Sequence, residues 1–238
     1  LGVSSGASTG AVLVLVLGVG SALGLSGGAF VGALGAFAIM LALARLAGGT
    51  TDKIVLAGVA VTQGFSALTS IIMVGADANT TRGVLYWLMG SLASASWTDV
   101  AQTAAAFAVI MVLALGMAGS LDAFTFGERQ AASLGVAVRR TRVTLLVLTA
   151  LLTAVVVASS GAIGFVGLVL PHMARMLLGS RHRGVLPVSA VLGAIFLLWA
   201  DTIARSAFAP LEVPVGVITA MVGVPVFAVL LSRRRGSR

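Results

Sequence analysis

Asp201 and Arg205 stand four residues apart in Ala200-Asp201-Thr202-Ile203-Ala204-Arg205. On a helix they share one face and can screen each other near its end. The two histidines sit in unlike places, His172 behind Pro171 in an apolar run and His182 between Arg181 and Arg183. Neither has a carboxylate at ligand spacing, so the expectation is no metal site. The chain has no cysteine, which excludes disulfides, thiolate metal sites and cysteine nucleophiles. It has no Gly-x-x-x-x-Gly-Lys-Ser/Thr loop to cradle phosphates, and no triad or paired carboxylate on which to build hydrolysis. The residues thus predict a protein that is not an enzyme and holds no cofactor. Its functional charges are few, and their meaning depends on the elements that carry them.

Those elements are apolar. Of 238 residues 59% are hydrophobic and 9% charged, and the mean hydropathy is +1.12. A soluble domain carries about 25% charged residues, so the pattern is that of an all-α, polytopic transmembrane bundle. Windows of about twenty residues place spans at 6–24, 28–47, 54–75, 100–118, 142–160, 162–179, 185–206 and 214–232. Eight spans divide the basic residues thirteen to two: only Arg82 and Arg205 fall on one side. The richer side is the cytoplasmic one by the positive-inside rule, so the 119–142 loop and the C-terminal tail are expected there. The net charge of +8 lies at span ends with no basic-aromatic surface, so no nucleic-acid partner is expected and the lipid bilayer is the surrounding.

The longest polar interruption is 121–142. Within it Gly127-Glu128-Arg129-Gln130-Ala131-Ala132-Ser133-Leu134-Gly135 predicts a helix of about two turns. Gly127 starts it, Glu128 complements its positive end, and Gly135 supplies the left-handed stop. Ala131, Ala132 and Ser133 are small enough to nest in a groove, and Arg139, Arg140 and Arg142 follow before the next apolar run. A compact helix followed by arginines makes a cytoplasmic docking surface.

On the other side, 75–82 reads as a polar loop and 83–92, with Tyr86 and Trp87, as an interfacial helix too short to span. Thr98 or Asp99 is the expected N-cap of the fourth span. Gly6 with Gly10, and Gly28 with Gly32, are spaced for close helix packing. Gly161, Gly164 and Gly167 are expected to form one smooth helical face in the sixth span, with Pro171 kinking or breaking it and His172 beside the kink in a gating or structural role. Pro210 and Pro214 bracket an external turn that places Glu212 at the mouth of the bundle.

Four blocks carry a resemblance to a known family: Leu1-Gly2-Val3-Ser4-Ser5-Gly6-Ala7; Trp87-Leu88-Met89-Gly90-Ser91; Gly127-Glu128 to Leu134-Gly135 with Arg139-Arg140-Thr141-Arg142; and Gly164-Phe165-Val166-Gly167-Leu168 through Pro171-His172, Ala200-Asp201, Arg205 and Pro214-Val215-Gly216-Val217. In this order they resemble the FecCD-type permeases, the membrane subunits of ABC importers for ferric siderophores, haem and vitamin B12. The resemblance implies about ten spans of about twenty residues in the full-length protein, with about two N-terminal helices preceding this chain. It implies a permease of the bacterial cytoplasmic membrane working by alternating access, as a dimer with a second copy or a paralogue. It also implies cytoplasmic ATPase subunits, which hold the ATP and magnesium, and an extracytoplasmic substrate-binding protein. Gly127, Glu128, Ala131, Ala132, Leu134 and Gly135, with Arg139 and Arg140, would be the coupling helix and its flank. Arg205, with Arg82 and Glu212, would face the binding protein. Gly164, Gly167, Pro171, His172, Asp201 and Pro214 would serve gating and helix packing. An ion-gradient carrier is the alternative, and Asp201 is its one plausible mid-membrane carboxylate.

Overall fold

The structure, a computed structural model, describes residues 2–18, 22–207 and 213–233. Glu212 and Pro210 lie outside these residues, as do the last arginines. The described residues form helices and no strand: α1 (Val3–Val16), α2 (Ala22–Leu46), α3 (Thr51–Val74), α4 (Ala78–Leu88), α5 (Trp97–Gly116), α6 (Ala118–Phe124), α7 (Glu128–Ser133), α8 (Val138–Ser160), α9 (Val166–Leu178), α10 (His182–Ser206) and α11 (Val215–Arg233). Each of the eight expected spans has its apolar helix. Five of them, α2, α3, α5, α8 and α10, are long enough to cross a membrane within the described residues, while α1, α9 and α11 are shorter. The chain is a multi-pass membrane protein.

Contacts gather into two compact units, Leu1–Ala106 with Val147–Ala162, and Phe107–Leu146 with Ile163–Arg238. In the first, α1 packs against α2, α3 and α4, and α2 against α3. The reason is side-chain size. A methyl group on Gly6 or Gly32 would strike the other helix's backbone, and one on Gly10 would strike the Gly28 carbonyl. The expected glycine pairs thus face each other and let α1 and α2 touch backbone to backbone, which is how helices associate where lipid offers no hydrophobic drive. Opposite this seam, Thr9 Oγ1 lies 2.7 Å from Thr69 Oγ1 and donates to the Phe65 carbonyl at 3.0 Å, tying α1 to α3.

Helix ends account for most departures from the sequence reading. The expected polar loop at 75–82 is largely helix: Asp77 accepts the backbone N–H groups of Asn79 and Thr80 and starts α4 at Ala78. The N-cap of α5 is Ser96 and not Thr98 or Asp99. Asp99 N–H donates to Ser96 Oγ at 3.2 Å and Ser96 N–H returns a bond to Asp99 Oδ2 at 2.9 Å, a reciprocal capping box. Arg139, Arg140 and Arg142 lie inside α8, whose first residue is Val138.

The sixth span differs most. Gly161 and Gly164 are not helical, so the three glycines do not form one face, and α9 starts only at Val166 and runs unbroken through Pro171. Pro171 forgoes the bond that an N–H there would make to the Gly167 carbonyl, and the helix continues on either side of it. The break falls upstream instead, at 161–165. Gly161 has φ 69°, and a side chain there would strike the Trp87 carbonyl of α4. Close by, Ser91 N–H donates to the Ser160 carbonyl at 2.9 Å. In the second unit α9, α10 and α11 pack on one another. Phe165, which caps α9, is left-handed with φ 66°, a conformation costing a bulky residue about 1–3 kcal/mol. Its ring lies on Gly223 of α11, where a methyl group would clash with it, so helix packing holds the strained residue in place.

Candidate functional site

The second unit carries the polar interruption that the sequence singles out. Residues 128–133 form α7, shorter than the expected two turns, and it ends in a complete Schellman motif. Gly135 N–H donates to the Ala132 carbonyl at 3.0 Å, and Val136 N–H to that of Ala131 at 3.1 Å. Gly135 has φ 83°, which glycine adopts without strain. Six residues would be marginal as a helix alone, so these caps and the packing of α7 on α6 fix its shape.

One expected surface residue is not on the surface. Ala131 is fully buried, while Arg129, Gln130, Ala132, Ser133 and Leu134 are exposed. The periodicity of a short helix packed on a neighbour requires this: one residue turns in and those around it turn out. Leu134 and Phe126 expose 68% and 69% of their surface, an apolar residue on each side of α7. Phe126 was not among the expected site residues, though a phenylalanine in a polar loop was the available signal. Glu128, in the first turn of α7, pairs with Arg142 on α8, which anchors the start of α7 to the start of α8. Arg139 and Arg140 are exposed in the first turn of α8, where Arg142 is partly covered.

A second polar contact was not legible in the sequence. Asp122 of α6 accepts the His182 backbone N–H at 2.9 Å, and its Oδ1 lies 2.6 Å from His182 Nδ1. His182, expected in a loop, is the first residue of α10. The backbone and side-chain bonds from His182, aided by its charge and that of Arg181, hold the Asp122 carboxyl below the usual carboxylate range. A carboxyl depressed in the folded state stabilises it fully above the unfolded value of about 3.9 and loses that contribution as pH falls through the lower folded value. Asp122→Asn is therefore expected to weaken the acid sensitivity of thermal unfolding below about pH 4, compared with the parent protein in the same detergent.

At the far end of α10, Arg205 Nε lies 2.8 Å from Asp201 Oδ2, the expected pair, with the arginine side chain 46% exposed. Arg82 is exposed on α4 in the first unit. His172 is partly covered on α9, one residue past Pro171, and Gly164 has open space around it. Pro214 precedes α11 and its carbonyl accepts Val217 N–H at 3.1 Å. Among the described residues no three acidic or histidine side chains gather as a metal site would require.

Apolar helices close enough to share backbone contacts, a short capped helix exposed between two of them, and arginines at helix ends belong to a multi-pass helical membrane protein. The chain belongs to the FecCD transport family, which matches residues 1–233. It is 42% identical over 235 residues to the cobalamin import system permease of Halobacterium salinarum, covering 98% of this chain and 63% of that protein. It is 38% identical over 243 residues to the hemin transport system permease of Yersinia pestis, covering 100% of this chain and 73% of the relative. The Fe(3+) dicitrate permease FecD of Escherichia coli is 41% identical over 183 residues, covering 77% of this chain and 57% of its own length. Among solved structures, an inward-facing conformation of a metal-chelate type ABC transporter superposes with a TM-score of 0.90 at 31% identity, covering 98% of this chain and 74% of that one. The chain spans roughly three fifths to three quarters of the length of these proteins.

Proposed function

We propose that the protein is the permease subunit of an ATP-binding-cassette importer in a bacterial cytoplasmic membrane. In this reading it passes an iron(III)-siderophore complex, with haem and cobalamin as the other cargoes its relatives' names suggest, by alternating access along the axis of a permease dimer. The observation that carries the reading is α7: a short helix fixed at both ends, with Leu134 and Phe126 exposed on either side of it. Such a helix can enter a cleft of a cytoplasmic ATPase, with Arg129, Arg139 and Arg140 at the rim. The ATP and magnesium belong to that partner, and no cofactor is assigned to this chain. Arg205 and Arg82 would meet acidic groups on a substrate-binding protein at the opposite face. Closure of the ATPases would move α7, and rigid-body tilting of packed helices would open the path to one side and then the other.

The pairing of Asp201 with Arg205 at 2.8 Å speaks against an ion-gradient carrier, whose coupling carboxylate must be available to an ion at mid-membrane. The deciding experiment places the full-length protein, its ATPase and its binding protein in proteoliposomes. Uptake of labelled ferric hydroxamate, haemin and cobalamin is followed together with ATP hydrolysis. Stimulation of hydrolysis by loaded binding protein is expected, and Arg205→Glu should abolish it. Deleting 127–135 should abolish uptake. Uptake that survives the deletion, or that follows an ion gradient with the ATPase inactive, would overturn the reading.

A further inference from the structure

The geometry points to Asp122 and His182 as a tie that joins α6 and α7 mechanically to α10, a role that rests on reading α7 as the segment the ATPase moves. The path has three contacts, all within the second unit. Helix α7 packs on α6 with Ala131 as its fully buried residue, and α6 packs on α10. Between α6 and α10 the carboxylate of Asp122 grips His182 twice, through its backbone N–H at 2.9 Å and its ring Nδ1 at 2.6 Å. A single hydrogen bond would leave α10 free to swivel about it. Here both bonds converge on one oxygen, Asp122 Oδ1, which holds the start of α10 through two atoms of His182 and restrains it more than one bond would. The carboxylate also sits where the first amide groups of α10 have no carbonyl of their own helix, and where the helix dipole favours negative charge.

What α10 reaches makes the tie consequential. The helix runs unbroken over 25 residues from His182 to Ser206, about 36 Å at 1.5 Å per residue. Helices α9 and α11 pack along it. Near its far end stands the Asp201–Arg205 pair. A displacement of α7 transmitted through the tie therefore reaches Arg205 along one helix, continuous through Pro187, and a partner held at Arg205 can bias α7 by the same route. Asp122 and His182 are positioning residues: they touch neither cargo nor nucleotide.

The test uses the full-length protein with its ATPase and binding protein in proteoliposomes, and the chelate that the wild-type complex imports from the three above. Asp122→Ala should leave ATP hydrolysis near its wild-type rate and lower the chelate imported per ATP by about five-fold or more, the lower end of ordinary coupling between sites. Asp122→Glu, which keeps the charge, should recover part of that ratio. A purely structural role would lower the yield and melting temperature but leave the ratio unchanged in the folded fraction. Because the chain has no cysteine, Asp122→Cys with His182→Cys gives a second, selective reading. The pair should be uncoupled when open and recoupled when bridged by a short bis-methanethiosulfonate linker, each cysteine thiolate forming a disulfide with the linker and releasing methanesulfinate. An unchanged ratio in Asp122→Ala, or a bridged pair that transports no better than the open one, would overturn the tie. A wild-type complex that imports none of the three chelates with ATP would instead fail at the underlying reading of α7.

Discussion

Gly10→Leu is expected to keep the protein from accumulating in the membrane, whereas Gly35→Leu leaves it near its normal level. Both glycines belong to the α1–α2 pair, but their surroundings are opposite. A side chain at Gly10 meets the Gly28 carbonyl and the Gly32 backbone, neither of which can turn aside as a flexible side chain could, while Gly35 is exposed with open space around it. Overpacking a tight contact costs about 1–3 kcal/mol for each small increment, and a leucine must drive the two backbones apart. The displaced α1 would also disturb the contacts of Thr9 with the Phe65 carbonyl and Thr69, so the loss extends beyond one interface. Abundance in the membrane fraction and melting temperature in detergent read the outcome. Equal levels of the two variants would show that α1 and α2 do not need this contact.

Gly161→Ala is expected to be the most damaging single-methyl change in the apolar core, and Gly164→Ala, three residues on, to be nearly silent. Alanine at 161 suffers twice. The left-handed backbone costs it about 1–2 kcal/mol, and its methyl group would press on the Trp87 carbonyl, which already accepts the Gly90 N–H at 3.1 Å. Together these amount to about 2–5 kcal/mol. At Gly164 neither condition holds, and a change within about 0.5 kcal/mol is expected. Thermal unfolding of the two variants side by side would separate the roles of two glycines that the sequence alone treats alike.

That pair shows where reading from sequence reached its limit. Long apolar runs located each of the long apolar helices among the described residues because composition over twenty residues survives local irregularity. A three-residue glycine spacing does not reveal whether the backbone is helical, and at 161–165 it is not. The stop at Gly135 was legible because a Schellman end depends on residues within one turn of each other. Asp77 and Ser96 were harder: each begins its helix from a polar stretch that resembles a loop, and the cap is told from the loop only by the bonds it makes. The contact between Asp122 and His182 was invisible, since sixty residues separate them and neither has a distinctive neighbour. The inward turn of Ala131 was hidden for a related reason, because a six-residue helix has too little periodicity to declare which side faces a neighbour.

The unwound stretch before Val166 has a consequence for the membrane itself. Helix α9 has 13 residues and rises about 20 Å, against a hydrocarbon layer of about 30 Å. Its neighbour α10 has 25 residues, enough to cross that layer at a tilt. Where lipid meets α9, the helical wall is shorter than the hydrocarbon layer, and the mismatch is met by lipid tails compressing there or by neighbouring protein covering the gap. Compression costs a fraction of a kcal/mol per ångström, so bilayer thickness becomes a variable that weighs on the helix leading into the His172 region. Chain length of the surrounding lipid would then favour one tilt of this unit over another without touching cargo, nucleotide or partner.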